Sequence, residues 1–326
     1  MAALNEDWKM PAALQPNPNT YAYDLDRALS SVVGLSSRVP ADAFTAEILG
    51  TERAGYGALI REDGLVLTIG YLVTEAEDVW LTTNAGRAVP AHVLAYDQVS
   101  GFGLIQALGR LNIPVLPIGD PSRAMVGEDV VLAGMGGRTR SVAAQIVARQ
   151  EFAGYWEYLL DEAIFTSPAH PLWGGAALIG SGGELLGIGS LQLHQATAGG
   201  ETQPLNMIVP VDLLTPILDD MTRLGRPNRA ARPWLGLYAS ESGNKVVVIG
   251  LATDGPASQG GVEAGDTVLA VSGRAVGSLA SFFRRVWALG EAGVDVPLTI
   301  HRGGRTFELC VTSVDRNQLL KVPRLH

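Results

Sequence analysis

Few side chains in this sequence have the chemistry for covalent catalysis. There is one cysteine, Cys310, and there are five histidines: His92, His170, His194, His301 and His326. A single cysteine excludes an intramolecular disulfide and a cysteine-rich metal site. The histidines are scattered without H-E-x-x-H spacing, so no metal is expected, and no cofactor. Nucleophilic hydrolysis needs a hydroxyl or thiol beside an imidazole, with a carboxylate orienting the ring. No serine in a G-x-S-x-G context accompanies His170 or His194. Ser181 lies in Gly180-Ser181-Gly182-Gly183, which reads as a hairpin turn. Gly134-Met135-Gly136-Gly137 lacks a Lys-Ser/Thr follower and reads as a turn, not a phosphate loop. The unusual segment is Phe152-Ala153-Gly154-Tyr155-Trp156-Glu157-Tyr158. Its rings suit either a partner-binding surface or the filling of a core, and the sequence leaves both open.

The elements that must carry these residues are short. The 326 residues suit two domains, and 47% hydrophobic against 17% charged residues is enough to build packed cores. The formal charge of −9 argues against nucleic-acid or membrane partners, which need a basic surface. With Gly at 39 and Pro at 18, many strands joined by turns are expected. Glu62-Asp63-Gly64 and Asn84-Ala85-Gly86-Arg87 each separate two apolar runs, which signals hairpins. Asp24 can cap a helix that runs into a strand within 21–37. Val211–Leu224 has helical apolar spacing closed by Gly225, and a second helix fits Leu279–Leu289. Glu6, Asp7, Lys9 and Pro11 interrupt the first residues, so no signal peptide is expected and a cytoplasmic location is predicted.

Four collinear landmarks give the pieces an identity. Gly64-Leu65-Val66-Leu67-Thr68-Ile69-Gly70-Tyr71-Leu72-Val73 resembles the D-G-x-I-L-T-N-x-H-V-V of the HtrA family, and Asp97–Leu104 stands at the place of its D-x-x-x-D-L-A-V. Leu116-Pro117-Ile118-Gly119-Asp120 resembles L-P-L-G-D, and Trp173-Gly174-Gly175 stands at the place of S-G-G. Arg232-Pro233-Trp234-Leu235-Gly236-Leu237 and Gly261–Gly273 are similar to the family's PDZ domain. The resemblance covers roughly residues 45–313 and implies a mainly β chain: a trypsin-like double β-barrel followed by an α/β PDZ domain. The expected segments are an arm at 1–40, the barrels at 41–228, the PDZ domain at 229–315 and a tail at 316–326.

The resemblance places the family's His, Asp and Ser at Tyr71, Gly101 and Trp173, and an oxyanion-loop glycine at Pro171. A phenol is a poor proton acceptor at neutral pH, glycine has no side chain, an indole is no nucleophile and proline has no N–H. The expectation is therefore a chain with no catalytic residues, not an enzyme: a pseudoprotease that binds proteins or peptide C-termini as a scaffold or as part of a larger complex. The alternatives are a serine endopeptidase with unrecognised catalytic residues and a chaperone-like binder of unfolded chains. Peptide binding is expected at Trp234, Leu235, Gly236 and Leu237, with Phe282 and Val286 lining the side-chain pocket. Gly236 is expected to keep a β conformation that tolerates a side chain. Tyr21 and Tyr23 stand where aromatic residues of HtrA relatives support a homotrimer.

Overall fold

The structure is a computed structural model that describes residues 8–196 and 200–321. The start of the expected arm, the end of the tail and His326 lie outside the described residues. The described chain divides into two compact units; the second consists of Glu151–Asp161 and Arg229–Leu320, and the first of the remainder.

The first unit holds two closed six-stranded barrels, apart from the strand residues within 151–161. One is built from β1 (Val32–Arg38), β2 (Glu52–Leu59), β3 (Leu65–Ile69), β4 (Asp78–Thr82), β5 (Ala88–Tyr96) and β6 (Phe102–Ala107), in the order β1-β2-β3-β6-β5-β4. The other is built from β7 (Asp129–Ala133), β8 (Ser141–Gly154), β9 (Tyr158–Ser167), β10 (Ala177–Ile179), β11 (Leu185–Ala196) and β12 (Thr202–Pro210), in the order β10-β11-β12-β9-β8-β7. Closure gives every strand of each barrel two neighbours. The short helix α1 (Leu25–Ser30) leads into β1, and the Asp24 carboxylate accepts the Arg27 N–H at 3.0 Å, as its sequence position predicts. A second short helix, α2 (Ala46–Leu49), precedes β2. The helix expected over 211–224 is split. A 3₁₀ turn covers Val211–Leu213 and α3 covers Leu218–Leu224. Pro216 lies between them; it lacks an N–H and disfavours helical backbone at Thr215.

The second unit holds β13 (Leu237–Ser242), β14 (Lys245–Leu251), β15 (Thr267–Val271), β16 (Arg274–Ala275), β17 (Asp295–Arg302) and β18 (Arg305–Thr312). The sheet order is β13-β14-β15-β17-β18, with β16 paired to β15, so β13 is an edge strand. Two helices, α4 (Pro256–Gln259) and α5 (Leu279–Trp287), complete it. Ser278 and Ser281 form a reciprocal capping box at the start of α5. The buried face of α5 contributes Phe282, Phe283 and Val286 to a core with Val246, Val248, Leu298 and Ile300. The same buried cluster contains Leu159, from the start of β9.

Candidate functional site

Two places carry the residues that the sequence singles out. In the barrels, β3 ends in a 3₁₀ turn at Gly70–Leu72 that holds Tyr71. The Tyr71 hydroxyl donates to the Ser190 carbonyl at 2.9 Å. The Trp173 side chain hydrogen-bonds the same phenol. Burial pushes the Tyr71 pKa above its ordinary value, against the weaker opposite pull of the Trp173 contact. The phenol therefore stays protonated and spends its proton on a carbonyl. Gly101 has φ +83° and lies behind the same turn, its carbonyl accepting the Gly70 N–H at 2.7 Å. Pro171 is exposed. The three positions expected to match a triad thus meet around one turn, but their contacts are a phenol on a carbonyl and a glycine backbone bond.

The turn is fixed from beneath by a buried cation that sequence reasoning missed. Arg53 is 2% exposed and donates to the carbonyls of Tyr71 at 2.8 Å, Thr74 at 3.0 Å and Gly50 at 3.1 Å, and to the Thr45 hydroxyl at 2.8 Å. The Glu75 carboxylate accepts the N–H groups of Phe44 and Thr45 and the Thr45 hydroxyl. Burial lowers the Arg53 pKa to about 10, and the charge of Glu75 acts against that fall. His170 is fully buried. Its Nε2 meets the Arg140 carbonyl at 2.9 Å, its Nδ1 accepts the Leu172 N–H at 3.1 Å, and burial lowers its pKa to about 4. With both ring nitrogens in use, it is a structural histidine.

The second place lies within the second unit. Leu235, Gly236 and Leu237 point their N–H groups at one spot, and the Glu157 carboxylate fills it. Oε1 accepts from Gly236 at 2.7 Å and from Leu237 at 3.2 Å, and Oε2 accepts from Leu235 at 3.0 Å. Such a cradle of successive N–H groups is an anion site. Glu157 has φ +60°, uncommon for a residue with a side chain. Beside it the Tyr155 carbonyl accepts the Ala239 N–H of edge strand β13 at 3.0 Å. The Tyr155 and Tyr238 rings meet edge to face at 6.0 Å. Arg284 of α5 pairs with Glu151 at 2.5 Å and with Asp161, gripping the two ends of the same segment.

The expected peptide-binding residues are therefore brought together, and they are covered. Trp234 and Leu235 are buried, Leu237, Phe282 and Val286 are core residues, and the three N–H groups are taken. One expectation is corrected. Gly236 has φ +74°, not a β conformation, and a Cβ there would stand 2.9 Å from the Trp234 ring. A side chain is strained at this position. Glu157 itself was missed. The aromatic segment around it is conspicuous in sequence, but nothing local shows that its carboxylate meets a loop nearly 80 residues on.

Comparison with known proteins agrees with this architecture. Residues 55–188 match the trypsin-like peptidase domain, and residues 233–312 match the PDZ domain. A probable periplasmic serine endoprotease, DegP-like, from Halomonas elongata is 26% identical over 277 residues, 80% of this chain and 56% of that protein. The chain thus spans little more than half the length of such DegP-like relatives. Serine endoprotease DegS from Escherichia coli K12 is 24% identical over 317 residues, covering 90% of this chain and 86% of DegS. Among solved structures, a serine endoprotease from Yersinia pestis has a TM-score of 0.52 at 22% identity, covering 89% of this chain and 95% of its own. The HtrA-type protease AlgW with a decapeptide has a TM-score of 0.54 at 18% identity, covering 92% and 98%. The chain is built as a trypsin-like peptidase domain followed by one PDZ domain, the fold that the HtrA-type structures share.

Two expectations are corrected by these matches. Similarity to named serine endoproteases over 80% and 90% of the chain overturns the expectation that it is not an enzyme, which rested on side chains at a few aligned positions. The name of the Halomonas relative, periplasmic, overturns the cytoplasmic expectation, which rested on the first residues alone.

Proposed function

We propose that this chain acts on polypeptides in the periplasm, as a relative of the serine endoproteases, with its PDZ unit reading the C-terminal carboxylate of an extended client chain. The observation that carries this reading is the cradle of Leu235, Gly236 and Leu237, whose three N–H groups converge on a carboxylate beside an edge strand. Tyr71, Gly101 and Trp173 stand in this proposal at the triad's places, and Pro171 at the oxyanion loop. Hydrolysis on these barrels then draws its nucleophile and base from other residues, because a buried phenol bonded to Ser190 and Trp173 accepts no proton. Holding of a captured chain, as a scaffold, is a second reading favoured by that same Tyr71 contact. Assembly as a homotrimer through Tyr21 and Tyr23, or as a subunit of a hetero-complex, belongs to the proposal too. The two rings tilt against each other at 5.4 Å.

The test uses the full chain with labelled casein, a serine-directed phosphonate and fluorescent decapeptides bearing either a free or an amidated apolar C-terminus. Binding of free-acid peptides alone is expected. Casein cleavage with phosphonate labelling supports action as a hydrolase, and binding without either supports the scaffold reading. Equal binding of amidated peptides overturns the carboxylate-reading role.

A further inference from the structure

The three N–H groups that would read a peptide carboxylate are already holding one. Glu157 reaches them from the turn of a segment whose neighbouring residue, Tyr155, makes a strand-type bond to Ala239 of β13. Leu159 of the same segment is buried in the cluster that includes Leu235, Leu237, Phe282 and Val286. A carboxylate in an N–H cradle, a backbone bond to the sheet edge and an apolar side chain in the adjoining core are the three contacts by which an added peptide strand is recognised. The segment is held at both ends through Arg284, on Glu151 and Asp161. The left-handed backbone of Glu157, φ +60°, is the conformation that aims its carboxylate, and such strain persists only where surrounding contacts over-determine it.

We propose that residues 151–161 are an internal ligand of the PDZ unit: Glu157 occupies the carboxylate cradle, and a client C-terminus binds only by displacing it. This rests on the reading of the cradle as a carboxylate reader. A tethered competitor acts at high effective concentration, so it weakens external ligands without making a new contact to them. Client binding would then be coupled to release of the Tyr155–Tyr158 tip, because the carboxylates cannot share three donors. The occupant is part of the chain, so the block is independent of protein concentration.

The experiment compares wild type, Glu157→Ala and Glu157→Gln as full chains. Affinity is measured with fluorescein-labelled decapeptides ending in a free Val or Phe carboxylate, and with their amidated forms. Amide hydrogen exchange of Leu235, Gly236 and Leu237 is followed in parallel. The expected result is at least a tenfold tighter free-acid peptide for Glu157→Ala, a smaller gain for Glu157→Gln, and faster exchange at the three amides in both peptide-free variants. Glu157→Gln keeps an acceptor oxygen and guards against loss of folding. Equal affinity of wild type and both variants for the free-acid peptide, with amidated forms silent, overturns the internal ligand and leaves the reader standing. No binding by any variant, with faster amide exchange in Glu157→Ala, overturns the reader and with it the proposal; Glu157 is then a structural clamp.

Discussion

The turn around Tyr71 and the cradle around Gly236 are both filled by the chain's own polar groups, and they are filled differently. At Tyr71 the filling group is a neutral phenol donating to a carbonyl, supported by the buried Arg53 below the turn. Burial keeps the phenol protonated, and Arg53 stays charged until about pH 10. At Gly236 the filling group is a carboxylate on N–H donors, at the tip of a segment anchored by ion pairs. Its burial raises the Glu157 pKa to about 7, against the lowering pull of the three N–H groups and of Arg316. On the proposed reading, a carboxylate that titrates near neutrality can be exchanged for a ligand's carboxylate, and a core phenol cannot. The comparison teaches that occupancy alone does not say whether an occupant can be displaced. The chemistry of the occupant does.

The sharpest way to break the comparison is Gly236→Glu. The backbone at φ +74° costs a non-glycine residue about 1–2 kcal/mol. A second carboxylate beside Glu157, without its own partner, adds several kcal/mol more, in the range of about 3–5 for an uncompensated buried charge. The second unit should unfold at a much lower urea concentration while the barrels keep their transition. A shift of under about 1 kcal/mol would show that the cradle has room for a side chain.

The next effect is opposite in sign in the two units. Glu157 has its pKa raised from 4.5 to about 7, so the protonated form is favoured in the folded state. Its stability contribution is full below pH 4.5 and is lost as pH rises through 7, about 3 kcal/mol at 1.36 per pKa unit. His170 has its pKa lowered from 6.5 to about 4, so its contribution is full above pH 6.5 and is lost, by a similar amount, as pH falls through 4. Between pH 4 and 8 the second unit should weaken with rising pH and the barrels should strengthen. Urea titrations of wild type against Glu157→Gln and His170→Asn measure each share; parallel profiles for wild type and variant reject the assignment.

Smaller effects sharpen the picture within the barrels. Tyr71→Phe removes a hydroxyl that is bonded to Ser190 and should destabilise by about 1–2 kcal/mol. Tyr23→Phe removes a buried hydroxyl that has no hydrogen-bond partner and should be neutral or stabilising by up to about 1 kcal/mol. Calorimetry on the pair tests whether the same atom deleted twice gives opposite signs, as the contacts require.

Much of the architecture is legible along the chain because its causes are local. Asp24 and Ser278 cap α1 and α5 through N–H groups three residues on, and the apolar runs flanking Glu62-Asp63-Gly64 become β2 and β3. Pro216 splits 211–224 although its apolar period suits a single helix. The loop at Trp234–Leu237 was found by its resemblance, but its left-handed Gly236 was not, since the period of a strand and that of a strand preceded by such a turn look alike.

The sequence by itself determined a chain of many short strands and few helices, the trypsin-like-then-PDZ plan and the identities of the side chains at positions 71, 101, 171 and 173. These follow from short-range propensity and from collinear motifs. Only the tertiary structure decided what those side chains touch. Tyr71 meets Ser190 across 119 residues, and Glu157 meets Gly236 across 79. Neither pairing leaves a periodic or compositional trace, because a hydrogen bond needs one donor and one acceptor at about 3 Å. Barrel closure and the packing of Leu159 into the second unit's core bring them there, and a linear chain records no such distance.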